Sequence, residues 1–328
     1  MIIKWYDIRD KVGKLKPLNI VIGGRGIGKT YSTLLFLLES GEKFIYMRNT
    51  DVQMDECASI FGNPFKRINI DKNLDIRIEK EKKHYLIRKY EDEETNNIIG
   101  YACALSTFEN LRGVDLSDVK YVIFDEFIER RKLSFDQFAS YASFYETVNR
   151  NRELLGDEPL KCILLSNAQK LGNPLLAGYN IIPIIERMIK DQQRTYSSKN
   201  LFIDLPESEV SDKKRQTAQY ELIKDTQYAA EVLDNEFAYD SFHGIKKQKI
   251  TEFKAVCIID GMTVYKHKSK LLYYVCNIHA DVLEFSSKDQ GMLWMRNYGQ
   301  YFREAYAQDK FTFSDFTTKI CFEKLIGM

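Results

Sequence analysis

The sequence predicts an α/β domain built on a parallel sheet flanked by helices, followed by a smaller α+β domain. Three observations carry this. Five short β-branched runs alternate with helical patterns over the first two-thirds of the chain, which is the pattern of a parallel sheet. Between the first run and the first helical pattern stands "GGRGIGKT", residues 23 to 30, a full match to GxxxxGK[ST]. After Leu205 the chain turns polar and rich in helix formers, and strand patterns resume near residue 250.

Composition limits the function classes. With 328 residues the chain exceeds one core of usual size, so two domains are expected: 1 to 205, a helical linker over 206 to 249, and 250 to 328. The 48 basic and 47 acidic side chains nearly cancel, so contact with a polyanion must be local. Six scattered cysteines lack the spacing of a zinc site or disulfide framework and suit a reducing cytosol. No signal peptide or membrane-spanning run is recognisable, so a soluble chain in a reducing cytosol, making no membrane contact, is expected.

The strand runs are "LNIVIGG" (18 to 24), "EKFIYMR" (42 to 48), "VKYVIFDE" (119 to 126), "LKCILLSN" (160 to 167) and "NLFIDL" (200 to 205). Between the second and third, apolar and charged residues alternate around "EDEETNN", as in a solvent-facing hairpin insertion. "LSFDQFASYASFYETVNRNREL" reads as a helix. Ser134 and Gln137 have capping-box spacing, and Phe138, Tyr141, Tyr145 and Val148 form its apolar stripe. Arg150 then points away from that stripe, while Arg152 falls near its centre unless the helix has ended. In the tail, a turn at Asp260-Gly261 joins two of two or three strands, and two amphipathic helices close the chain.

The chemistry gathers at the strand ends. A glycine-rich turn after a buried strand, opening a helix, aims backbone N–H groups at an anion, so Gly23, Gly24, Arg25, Gly26, Ile27, Gly28, Lys29 and Thr30 form a candidate nucleotide cradle. Lys29 reaches the β and γ phosphates of ATP, and the Thr30 hydroxyl binds Mg²⁺, a cation that prefers oxygen ligands. "YVIFDE" supplies Asp125 on the metal side and Glu126 as the base that polarises attacking water. The glutamate next to the metal-side aspartate favours hydrolysis over small-molecule phosphorylation. Asn167, at another strand end, is placed to bond the γ-phosphate or the water; the other reading is a residue that starts a turn. Arg150 is either a solvated surface arginine or a finger entering a neighbouring subunit's site.

"VIGGRGIGKTY", "FIYMRN", "YVIFDEFI", "TVNRNRE" and "CILLSNA", in this order, resemble the genome-packaging ATPase family of phi-29-like tailed phages and, more distantly, the large terminases. The likeness covers roughly residues 18 to 205 and is weaker beyond. It implies an ASCE-type P-loop NTPase that assembles as a homomeric ring, a pentamer in the best-known relatives. That ring would sit on the portal of an empty procapsid and pump double-stranded DNA into it. By motif matching, Lys29 and Thr30 are the phosphate-loop pair, Asp125 and Glu126 the metal and water-activating acids, and Arg150 the trans-acting finger. Arg25 is a second finger candidate, acting in cis or across the ring.

The resemblance further implies an RNase H-like C-terminal domain. No acidic cluster suited to two metals is visible around Asp260, Asp281 and Glu284, so a domain without nuclease activity, helping to bind DNA, the portal or a structural RNA, is expected. Arg112, in "ENLRGVDLS", is the leading DNA contact, with Lys80, Lys82, Lys83 and Arg88 as weaker ones. The competing readings are a complete terminase with an active nuclease and a nucleotide-gated DNA-binding switch without motor activity.

Overall fold

Leu18–Ile22 (β1) is buried on both faces from Asn19 onward, as suits a run without alternating polar residues in the interior of a sheet. It belongs to a nine-stranded sheet in a computed structural model of the chain. The structure describes residues 4 to 92, 95 to 111, 113 to 129, 133 to 168, 171 to 207, 209 to 224, 244 to 288 and 293 to 327.

The other strands of this sheet are β2 (Lys43–Arg48), β3 (Asp75–Glu81), β4 (His84–Tyr90), β5 (Asn96–Ala104), β6 (Val119–Asp125), β7 (Lys161–Ser166), β8 (Thr195–Ser197) and β9 (Leu201–Asp204). Their order is β3-β4-β5-β2-β6-β7-β1-β9-β8. Strands β5, β2, β6, β7, β1 and β9 pair in parallel. All five runs read from the sequence are therefore strands of one parallel core. β7 lies between β1 and β6, so the phosphate loop and the acidic pair sit one strand apart at the same sheet end.

The segment expected as a hairpin insertion is instead a meander that continues the sheet. β3 and β4 pair antiparallel, β4 pairs antiparallel with β5, and β5 joins β2 in parallel. Its alternation arises because one face carries Ile76, Ile78, Tyr85 and Ile87 into the main core while the other meets solvent.

Helices along the chain up to residue 224 are α1 (Lys29–Ser40), α2 (Asp51–Cys57), α3 (Lys66–Lys72), α4 (Gln137–Asn149), α5 (Pro174–Gly178), α6 (Ile182–Lys190), α7 (Glu209–Arg215) and α8 (Ala218–Ile223). α1 buries Leu34, Leu35, Phe36 and Leu37 in a cluster with Val21, Ile123, Ile163 and Leu165. Each such side chain contributes roughly 1.5–3 kcal/mol through burial. α4 contributes Tyr141, which stacks on Phe124 at 5.8 Å between centroids.

The start of α4 differs from expectation. Asp136, not Ser134, is the N-cap, its carboxylate accepting from Ala139 N. Gln137 is the first helical residue, and its side chain is buried.

The chain divides into two compact units, Met1–Gly178 with Met188–Tyr239, and Tyr179–Arg187 with Asp240–Met328. The described residues 206, 207 and 209 to 224 thus group with the first unit, and a short segment before β8 groups with the second. The second unit holds a five-stranded sheet of β10 (Phe253–Ile259), β11 (Met262–His267), β12 (Tyr273–Cys276), β13 (Glu284–Phe285) and β14 (Phe311–Phe313), ordered β13-β10-β11-β12-β14. Asp260 (φ 47°) and Gly261 (φ 76°) make the hairpin turn between β10 and β11, the left-handed pair that such a two-residue turn requires. The helices Gln300–Ala307 and Phe316–Ile326 bring Phe302 and Phe322 onto Phe311 and Phe313.

Candidate nucleotide-binding site

The phosphate loop leaves β1 and enters α1 through two left-handed glycines, Gly26 (φ 68°) and Gly28 (φ 106°), where a Cβ would add strain. Gly23 N donates to Ser166 O at the end of β7, which anchors the loop on the neighbouring strand. The Lys29 side chain folds back under the loop. Its Nζ donates to Gly23 O (2.9 Å), Gly24 O (2.7 Å) and Asn167 Oδ1 (3.1 Å). Asn167 is thus at the site, against the lysine. Burial pushes the Lys29 ammonium down to about 7, against the pull of Asp125 and Glu126.

Thr30 Oγ1 donates to Asp125 Oδ1 (3.0 Å), so the two residues read as metal ligands are in direct contact. Tyr46 OH donates to Asp125 Oδ2 (3.1 Å) from β2. Burial raises the Asp125 carboxyl above its ordinary value, and Arg48, Thr30 and Tyr46 oppose that rise. Glu126 follows in a left-handed conformation, φ 53°, and its carboxylate is half exposed.

Lys29, Thr30, Asp125, Glu126, Ser166 and Asn167 line one cavity of about 1060 Å³, together with Arg25, Gly26 and Gly28. The cavity fits a nucleotide with a divalent cation. It offers a buried ammonium bonded only to neutral acceptors, a hydroxyl and carboxylate of metal-ligating type side by side, and a Ser166 hydroxyl that is buried without a partner among the described residues.

Four contributors were not foreseen in the sequence. Arg48, at the end of β2, is ion-paired to Glu126 Oε2 and stands 3.8 Å from Asp125 Oδ2. Trp5 and Tyr6 cross the loop, with Tyr6 N donating to Ile27 O and Trp5 Cβ 3.6 Å from the Cβ position of Gly28. Lys214, on α7, donates to the Arg25 carbonyl. Arg48 lies in "FIYMRN", a stretch given no site role in the sequence, and the other three carry no local motif.

The remaining candidates lie elsewhere. Arg150 is the left-handed C-cap of α4 (φ 44°) and is exposed, with Nη2 on Val114 O (2.7 Å) and Nη1 3.7 Å from Asp115. It does not line the cavity of its own chain. Arg152 is buried although the helix ends before it, and donates to Val119 O and Leu116 O. Lys80 is paired with Asp55 (2.6 Å), and Lys82 and Lys83 form the exposed β3-β4 turn. Arg88 pairs with Glu79 and Glu81. Arg112 lies outside the described residues.

The model of the podovirus DNA encapsidation protein (Gp16) family matches residues 3 to 286, most of the chain. The chain belongs to this family. Among curated relatives of this encapsidation protein is the DNA packaging protein of Bacillus phage B103, 28% identical over 298 residues and aligned over 86% of each chain. The DNA packaging protein of Bacillus phage phi29 is 28% identical over 286 residues, 84% of this chain and 79% of its own. Among solved structures, the Phi-28 gp11 DNA packaging motor superposes with a TM-score of 0.65 at 18% identity, over 98% of this chain and 97% of that one. The bacteriophage Phi-29 viral genome packaging motor assembly gives 0.65 at 22%, over 98% of each. The encapsidation protein is thus a phage genome-packaging protein with a P-loop fold. Among its described residues, no helix is long and apolar enough to cross a membrane.

Proposed function

We propose that the encapsidation protein hydrolyses ATP with Mg²⁺ at this cavity and uses the energy to drive double-stranded DNA into a procapsid. The observation that carries this reading is the convergence of Lys29, Thr30, Asp125 and Glu126 on one cavity from α1 and the end of β6. Lys29 binds the β and γ phosphates, exchanging its contacts to Gly23 O and Gly24 O for charged oxygens. Thr30 and Asp125 would hold Mg²⁺, which would neutralise charge on the phosphates. Glu126 takes a proton from water as the water oxygen bonds the γ-phosphorus; the bond to the β-phosphate oxygen breaks, leaving ADP and phosphate. Asn167, hydrogen-bonded to Lys29, contacts the γ-phosphate.

Arg150 acts on the cavity of a neighbouring chain in a homomeric ring, a pentamer. Its exposure and its absence from its own cavity support this role. The loop containing Arg112 contacts the DNA backbone, with Lys82 and Lys83 as further basic contacts and Lys80 the weakest because of its pairing with Asp55. The second unit is an RNase H-like domain without nuclease activity that holds DNA, the portal or a structural RNA. The directly opposed, exposed Lys254 and Lys266 on β10 and β11 support a polyanion contact there, since like charges facing across strands destabilise a sheet unless neutralised. The working place is the host cytoplasm, docked on the procapsid. The test is ATP hydrolysis with and without double-stranded DNA, together with the mass of the assembled particle. DNA-stimulated turnover by a ring is expected; a monomer indifferent to DNA contradicts the reading.

A further inference from the structure

Three carboxamides are buried behind the Glu126 turn, at 0%, 1% and 5% exposure for Asn49, Gln137 and Asn173. They come from the end of β2, the first residue of α4 and the residue before α5. Asn173 Nδ2 donates to Gln137 Oε1 (3.0 Å), and Gln137 Nε2 donates to Asn49 Oδ1 (2.7 Å) and Phe127 O (2.7 Å). Asn49 Nδ2 donates to Glu126 O (3.1 Å) and Glu129 Oε1 (3.1 Å). At the far end, Asn173 Oδ1 accepts from Leu175 N (2.9 Å) and Leu176 N (3.3 Å).

Both ends of this chain are fixed by the main chain. Carbonyls of Glu126 and Phe127 accept at one end, and N–H groups of α5 donate at the other, so the amides have one consistent head-to-tail orientation. Turning Gln137 over would set its oxygen against the Phe127 carbonyl and its NH₂ against the Asn173 NH₂. Such a polarised chain is stiffer than isolated bonds, and a break in it leaves buried polar atoms unpaired.

We propose that Asn49, Gln137 and Asn173 form a positioning relay that holds the left-handed Glu126 turn and joins it to the segment following Asn167. The inference rests on the reading of Glu126 as the base. Glu126 at φ 53° occupies a backbone region disfavoured for a residue with a Cβ, and its own carbonyl and that of Phe127 are held by Asn49 and Gln137. At the other end, Asn173 stands six residues after Asn167, the residue against Lys29. Three hydrogen bonds, Asn173 to Gln137, Gln137 to Asn49 and Asn49 to the Glu126 carbonyl, link the start of α5 to the acid's backbone. None of the three amides lines the nucleotide cavity, so the relay acts on the aim of the acid and not on nucleotide binding.

The experiment uses the full-length chain with Gln137→Met, which keeps volume and removes the middle amide. The turnover number for ATP is expected to fall about tenfold or more, as misplacement of a reacting group does. KM and the Kd of a fluorescent ATP analogue are expected to stay within about twofold, since binding contacts are untouched. Asn19, an equally buried amide at the opposite end of β1, bonded to Lys16 O and Cys162 O, supplies the control. Asn19→Ser is expected to lower Tm comparably and leave turnover nearly unchanged. If Gln137→Met does not accumulate as folded protein, Asn173→Ser is measured with the same expectation. In single turnovers, Gln137→Met added to Glu126→Gln is expected to cause no further slowing. Turnover falling only in step with Tm, as for Asn19→Ser, or multiplying with the Glu126→Gln loss, overturns the relay. A Glu126→Gln chain whose single-turnover rate matches that of the unaltered chain refutes the base assignment itself, a failure distinguishable from that of the relay.

Discussion

The guanidinium of Arg48 bridges the acidic pair, ion-paired to Glu126 and 3.8 Å from the buried Asp125 carboxylate. β2 and β6 are neighbours with Met47 opposite Phe124, so the next residue on each strand, Arg48 and Asp125, meet at the strand ends. Arg48 therefore offsets the burial of Asp125 and competes for Glu126 with whatever enters the cavity.

Removing this cation leaves Asp125 less compensated. Arg48→Ala is expected to cost about 2 kcal/mol at pH 8, the order expected when a buried charge loses its partner. The Asp125 carboxyl is already raised by burial, so its ionised form opposes folding above its unfolded value, and that opposition fades as pH falls through the folded value. The cost of Arg48→Ala is thus expected to shrink toward acidic pH. Urea denaturation at pH 8 and pH 5.5 checks this, and a pH-independent cost would contradict it.

Lys29 carries a proton linkage. Burial pushes its ammonium down to about 7, so above that pH the free protein loses this proton more readily than an exposed lysine would. A triphosphate beside it favours the charged form, and binding at pH 8 is expected to take up a measurable fraction of a proton. Calorimetry of a non-hydrolysable ATP analogue in two buffers of different ionisation enthalpy measures this. Lys29→Met is expected to abolish both the uptake and most of the affinity. For stability alone the sign is the opposite of an ion-paired lysine: the folded state binds fewer protons between about 7 and the usual lysine value, so stability rises with pH across that window.

Lys214 brings a second cation to the loop. Its Nζ stands 3.0 Å from the Cβ position of Gly26 and bonds the Arg25 carbonyl, and Lys214→Ala is expected to weaken ATP binding by about threefold to tenfold, more at low salt. Fluorescence titrations at two ionic strengths test it. An unchanged affinity would make Lys214 a structural tie only.

The parallel core was legible because its five strands are short, β-branched and punctuated by helical patterns, and GxxxxGK[ST] marked the join of β1 to α1. Strand order was not legible, and that is why Arg48 was missed: "FIYMRN" reads as a strand end, but only the adjacency of β2 and β6 gives its arginine two acidic partners. Gln137 was noticed for the wrong reason. Its spacing from Ser134 suggested a cap, whereas Asp136 caps the helix and the glutamine turns inward. Arg152 is buried by carbonyls that the sequence does not bring near it: α4 stops at Asn149, and the guanidinium donates to Leu116 O and Val119 O. The meander β3-β4-β5 alternated visibly, yet nothing local announced that β5 would pair with β2. Trp5, Tyr6 and Lys214 reach the loop over long sequence separations and left no local trace.

In the proposed reaction each ATP is hydrolysed by Glu126 of one chain with Arg150 of its neighbour. Glu126→Gln and Arg150→Ala chains are assayed separately and then mixed before assembly, with DNA-stimulated phosphate release as the readout. In a head-to-tail ring, mixing creates interfaces that pair an intact Glu126 with an intact Arg150 from different chains. Two inactive preparations that regain activity on mixing are the predicted result. A mixture no more active than its parents, in rings shown by mass to contain both chains, would contradict the account.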